Sequence, residues 1–239
     1  MAELEVVKHA KKVMDTVGDR EKGWKHKLKD IILEILIIVF AVSLSISLHN
    51  WSERNHDRHE EEEFLHGLKL DLQSDLKEMS SDSANYSLAL KGIKYFLRVS
   101  DGEALNKDSM NIYYFLFYNT TYLVPNSGRF EGLKASGKLG VLENKELRND
   151  ILDFYQEFVP MVNLNNDWIN TYKSNYVGSY VNKNLDLRNG KDNWEQVLGS
   201  NEMRNGLTRM LDIEEIVGNY GAALAKVRQI INLIDKEVH

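Results

Sequence analysis

Residues 31–48, IILEILIIVFAVSLSISL, are apolar apart from one carboxylate near the start and three serines near the end. As a helix this run is about 27 Å long at roughly 1.5 Å per residue, close to the hydrocarbon thickness of a bilayer. We read it as a single transmembrane helix. Trp24 and Trp51 stand on either side, where an aromatic belt would anchor the ends at the interfaces. A buried core helix is the competing reading, because 18 residues lies at the short end of the spanning range.

Charge is distributed unevenly around that run. Residues 1–30 carry eight Lys or Arg against six acids, whereas only Arg54 and Arg58 fall in the 20 residues after it. The positive-inside rule therefore places the N-terminus in the cytoplasm of a bacterial cell and the C-terminal part in the periplasm, with the run as an inner-membrane span. Its length, and the absence of a small-x-small cleavage site after it, point to an uncleaved signal anchor. The first 30 residues form a basic segment, partly an amphipathic helix with Leu4, Val7, Met14 and Val17 on one face, suited to an anionic leaflet.

Inside the span, Glu34, Ala41 and Ser45 share a helical face, and Ala41 with Ser45 makes a small-xxx-small pair of the kind that lets membrane helices approach closely. Glu34 reads either as an interfacial anchor or as a residue facing partner helices. Self-association through this face is expected. A homo-oligomeric pore lined by Glu34 and Ser45 is the alternative.

Beyond the span the expectation is all-α, because the two prolines, Pro125 and Pro160, leave almost every stretch free to be helical. A stalk helix is expected over 49–80, burying Leu65, Leu68, Leu72, Leu76 and Met79, and then a helical bundle over 81–239. Ser81 or Ser83 is expected to cap a second helix that ends at Asp101-Gly102. A helix over 144–158 should stop near Pro160, with another over 164–181. Residues 186–198 read as a loop, and helices are expected over 202–210 and 213–238. The aromatic block NIYYFLFY, 111–118, is a core element if helical.

The chain contains no cysteine, which excludes disulfides, thiolate metal sites and a cysteine nucleophile. His56, His59 and Glu63 form one helical stripe, a spacing compatible with a metal, but three ligands from one stripe cannot close a tetrahedral site. Pairing of His56 with Glu60 and His59 with Glu63 on a wet helix is the plainer reading. Arg54, Asn55 and His59 match the loose pattern of helical ribonucleases, a short match in a stretch rich in Arg and His. The acidic exterior disfavours nucleic acid. No catalytic residue, metal or cofactor is expected, the implied partners are the lipid bilayer and further copies of the chain, and the residues specify no protein partner.

Two stretches resemble a known family. The run from Glu34-Ile35 to Asn50-Trp51-Ser52-Glu53 resembles the membrane segment of domain of unknown function 6090, a family of short membrane proteins common in Bacteroidota. FEGLKASGKLGVLENKELRNDILDFY, residues 130–155, is similar to its central motif through Glu131, Leu133, Lys134, Ser136, Gly137, Leu139, Leu147, Arg148 and Tyr155. The departures are Leu33 and Ala41 for glycines, and Ser45 and Ser47 for the alanine and glutamine. The resemblance implies a membrane-anchored helical protein and supplies no activity. Physically, the central motif reads as a tight corner with Gly137 at φ > 0, and Arg148 reaching back to Glu131 or a nearby carbonyl. The reading of the whole chain is a non-enzymatic, membrane-anchored scaffold or sensor module.

Overall fold

The computed structural model describes residues 7, 8, 11, 24–188 and 192–238, side chains of 24–27 and 30 excepted. Most of the basic N-terminal segment, and the side chain of Trp24, lie outside the described residues. No strand occurs among the described residues, so the fold is all-α. The chain divides into two units, Met1–Glu61 and Glu62–His239.

Helix α1, Trp24–Ser100, contributes to both. In the first unit it carries residues 31–48, and it is long and apolar enough to cross a membrane. That stretch is exposed except for one stripe: Glu34 is buried, and Ile31, Ile38 and Ala41 are half-buried. These four are spaced as one helical face. Contrary to the capping expected at Ser81 or Ser83, α1 runs through both without interruption, since 68–100 contains no proline and its one glycine, Gly92, is buried beside Leu116 and Tyr113. It stops where Gly102, at φ 104°, donates to the Val99 carbonyl at 3.0 Å.

In the second unit three helical stretches each bury one face, and on two of them the seam residues recur in alternating steps of three and four, the spacing that keeps one face turned to a partner. On α1 the seam is Leu65, Leu68, Leu72, Asp75, Met79, Asp82, Tyr86, Ala89, Ile93 and Phe96. On the last helix, Ile213–Glu237, it is Ile213, Ile216, Tyr220, Ala223, Val227, Ile230 and Ile234, all buried. The third stretch is an uninterrupted helical run, 145–184, in which Pro160 does not end the helix as expected.

That run consists of α4 (Lys145–Asp153), a π turn (Phe154–Phe158), α5 (Val159–Tyr172), a second π turn (Lys173–Gly178) and α6 (Ser179–Asn184). Proline is tolerated because the π turn precedes it. The Val159 amide reaches the Phe154 carbonyl, which absorbs the bonding pattern that Pro160 would otherwise break. The extra residue in the π turn also sets Phe154 and Val159, five positions apart, both against the core.

The shorter elements complete the bundle. The aromatic block is helical: α2 (Lys107–Tyr113) leads into a 3₁₀ turn, Tyr114–Phe117, that buries Leu116 and Phe117. Phe117 stacks between Phe96, at 5.2 Å, and Trp194, at 5.4 Å. Trp194 opens the short helix α7 (Trp194–Leu198), so the expected loop over 186–198 is helical at its end. Helix α8, Asn201–Arg209, is capped by Ser200, and α9 is Ile213–Glu237.

The corner of the central motif is present. Helix α3 (Gly128–Ala135) ends at Gly137, whose φ of 73° allows its amide to donate to the Lys134 carbonyl at 3.1 Å. The Ser136 hydroxyl donates to the Leu133 carbonyl at 2.8 Å, and Leu133 packs against the core. A 3₁₀ turn, Lys138–Val141, follows, and Asn144 caps α4 through the Glu146 and Leu147 amides. Arg148 reaches the Leu142 carbonyl at 3.4 Å, whereas the ionic neighbour of Glu131 is Lys134, at 4.0 Å.

A Cβ at Gly137 would meet no atom within 4 Å, so the cost of Gly137→Ala is purely conformational. It should lower stability by about 1 kcal/mol. Gly132→Ala, equally open but inside α3, should raise stability by about 0.5 kcal/mol. Thermal melts of the two variants, with opposite shifts in Tm, check this pair.

Candidate functional site

Residues 119–127 adopt neither helix nor strand; Leu123 is buried and Thr121, Pro125 and Ser127 are half-buried, while the rest are exposed. The segment has no ladder of its own, and several of its backbone groups are bonded by side chains of the neighbouring helices. Helix α1 supplies Glu78, which accepts from the Val124 amide at 3.1 Å, and Asp75, which accepts from the Asn126 amide and side chain at 2.9 and 2.7 Å. Helix α5 supplies Asn163, accepting from the Leu123 amide at 3.2 Å, and Asn170, which bonds both the amide and carbonyl of Thr121, at 3.3 and 2.7 Å. Lys173, at the start of the second π turn, donates to the Asn119 carbonyl.

The seams contribute a buried polar chain beside this clamp. Tyr86 donates to Asn166 at 2.8 Å, Asn166 donates to the Tyr220 oxygen at 2.9 Å, and Tyr220 in turn donates to Asp82 at 3.4 Å. Two residues from the α1 seam and one each from α5 and α9 take part, so the chain ties the three helices together. Burial pushes both tyrosine hydroxyls upward, so they remain donors at any physiological pH.

Between clamp and chain lies an open cavity of about 300 Å³, lined by Asp82, Asn85, Tyr86, Ala89, Phe115, Lys173 and residues 119–122. This is at the lower end of the roughly 300–1,000 Å³ of small-molecule pockets. Its two charged residues are both displaced from their ordinary titration. Burial lowers Lys173 to about 8, and burial, assisted by Glu78, raises Asp82. Asp75, fully buried two turns before Asp82 on α1, is raised chiefly by burial, against the two hydrogen bonds from Asn126. Its second oxygen, Oδ2, is buried without a hydrogen-bond partner.

The residues singled out from sequence fall elsewhere. Glu34 is buried, Ala41 is half-buried and Ser45 is exposed, so the structure separates this face into a covered and an open part. Trp51 is exposed. His56, His59 and Glu63 are all exposed on α1, and no group of three His, Cys, Asp or Glu among the described residues is placed to hold a metal ion. Of the motif residues, Leu147 is buried, Arg148 is half-buried, and Glu131 and Ser136 are exposed. The cavity residues Asp82 and Lys173 were not among them. The signal that finds them is a polar residue standing where the three-four apolar spacing demands an apolar one: Asp75 three after Leu72, Asp82 three after Met79, Lys173 four after Ile169.

Two measurements test this arrangement. Asn170→Ala orphans both backbone groups of Thr121 and should cost about 2 kcal/mol in denaturant unfolding, while Asn165→Ala, whose side-chain nitrogen is buried without a partner, should change stability by less than about 0.5 kcal/mol. For Asp75 the folded-state pKa lies above the unfolded one. Its contribution to stability is therefore fully present below the unfolded carboxylate value and declines as pH rises through the folded one. Asp75→Asn should accordingly gain stability relative to the parent chain as pH is raised from about 4 through the folded value. A stability difference independent of pH would contradict this.

No curated protein and no solved structure matches the chain. A family model does: it matches residues 34–215, well over half of the sequence, and its span takes in the central motif corner, the 119–127 clamp and the cavity. The chain belongs to DUF6090, a family of unknown function.

Proposed function

We infer that the chain is a non-enzymatic, single-pass protein of the bacterial inner membrane, with a cytoplasmic N-terminus and a periplasmic helical bundle that acts as a sensor or scaffold module. The observation that carries this reading is the exposure of residues 31–48: a core helix of this composition would be covered, and here the large apolar side chains from Ile32 to Leu48 face outward on most sides. The excess of Lys and Arg before the run supports the orientation. The exposed Ser45 and the neighbouring Ala41 support association with further copies. A conduit lined by Glu34 receives no such support, since Glu34 is buried within its own chain. The perturbed groups of the bundle bond to backbone and to each other, which supports a binding or structural role over catalysis.

Fractionation with an alkaline carbonate wash should leave the full chain in the membrane, and replacing Ile37, Phe40 and Leu44 by lysine should release it. A phosphatase fused at the C-terminus should be active, and a fluorescent protein fused there dark, if the bundle is outside the cytoplasm. Release of the parent chain by carbonate would sink the anchor, and the opposite reporter pattern would reverse the topology. Detergent-solubilised chain should run as an oligomer that Ser45→Leu weakens.

A further inference from the structure

We propose that the cavity between Lys173 and Asp82 binds a small zwitterionic metabolite of amino-acid size, its carboxylate drawn to Lys173 and its ammonium to Asp82. Lys173 is 5% exposed and lines this cavity, yet its ammonium, with three donors, makes one hydrogen bond, to the Asn119 carbonyl. Asp82 interrupts an otherwise mainly apolar seam, and its one hydrogen bond comes from Tyr220 at a long 3.4 Å. Neither forms an ion pair with any described residue, including the other.

A charge withdrawn from water without a counter-charge is costly, fully so for the buried Lys173 and in part for the half-buried Asp82, and a seam position can be filled by an apolar residue at no such cost. Here two charges of opposite sign border one cavity, and the remaining polar wall, Asn85 and residues 119–122, is neutral. A simple anion would satisfy Lys173 but bring like charge toward Asp82, and a simple amine would do the reverse. A zwitterion satisfies both at once. The volume of about 300 Å³ is ample for a molecule of that size, and Phe115, Tyr86 and Ala89 offer apolar surface to a short side chain or methylene. The raised titration of Asp82 and the lowered titration of Lys173 are what two charges awaiting partners would show.

This inference rests on the sensor reading and names its ligand class. The test is calorimetric titration of the full chain in detergent micelles with glycine, β-alanine and L-serine, and with propionate and propylammonium as singly charged controls. At least one zwitterion should bind saturably, about tenfold or more tighter than either control, and Lys173→Met and Asp82→Asn should each weaken it by about tenfold or more. Circular dichroism establishes that each variant is folded, and Asp82→Asn carries the comparison if Lys173→Met is not. Absence of saturation by all three zwitterions at about 10 mM, propionate binding as tightly as a zwitterion, or unchanged affinity in the folded variants overturns the proposal. Mass analysis of the recovered ligand separates the two readings: an unaltered zwitterion fits both, whereas conversion to a product removes the non-enzymatic reading and leaves the binding site standing.

Discussion

The second unit depends on a non-helical segment, 119–127, held in place by side chains from the helices on either side. It has no strand to pair with, and where its backbone is shielded, at Leu123 and the half-buried Thr121, leaving a peptide group without a partner would cost of the order of a few kcal/mol. The helices on either side meet that demand with Asp75 and Glu78 from α1, and Asn163, Asn170 and Lys173 from the 145–184 run. Side chains that would be unfavourable in an apolar core become favourable there because the segment requires them. The polar interruptions at Asp75 and Lys173 follow from this demand, and so does the register between the two helices, since a shift of one residue would misalign several of these bonds together.

The same constraint opens the cavity. A seam filled with leucines would close against its neighbour, but Asp82, Asn166 and Tyr220 hold it apart with hydrogen bonds of fixed length, and the 119–122 stretch forms one wall instead of a side chain filling the space. The result is a pocket whose polarity is asymmetric, with a cation on one element and a carboxylate on another. The π turn that begins at Lys173 belongs to this arrangement: it widens the helix where the lysine leaves the seam, and Gly178 at its end brings the backbone close to the Phe117 carbonyl, where a Cβ would stand at 3.0 Å.

The helices were largely legible in the residues, and so was the corner at Gly137, because local signals agree with the tertiary packing there: Asn144 and Ser200 cap where caps are needed, and glycine occupies the left-handed position. Two boundaries were not. Ser81 and Ser83 are good caps in isolation, but a cap is used only where a helix must start, and α1 has no reason to stop with its seam buried on both sides of them. Pro160 breaks an ordinary α-helix, yet a π turn upstream absorbs the missing bond, and the gain is the burial of Val159 and Val162 on the same face as Phe154. The candidate site was hidden for a related reason. A lone lysine or aspartate in a helix reads as solvent-facing until the three-four spacing around it is known to be buried.

Taken alone, the amino-acid order determined that this chain is helical, that residues 31–48 make a helix long and apolar enough to cross a membrane, and that a tight corner falls at Gly137, because length, hydropathy and positive φ are properties of short stretches. Only the tertiary structure decided that Glu34 is covered while Ser45 is open, that Pro160 lies inside a continuous helix, and that Lys173 and Asp82 share a cavity. Those depend on what packs against each residue, and the partners are 49 to 138 positions away for the contacts of Asn170, Lys173 and Asp82 that build the site.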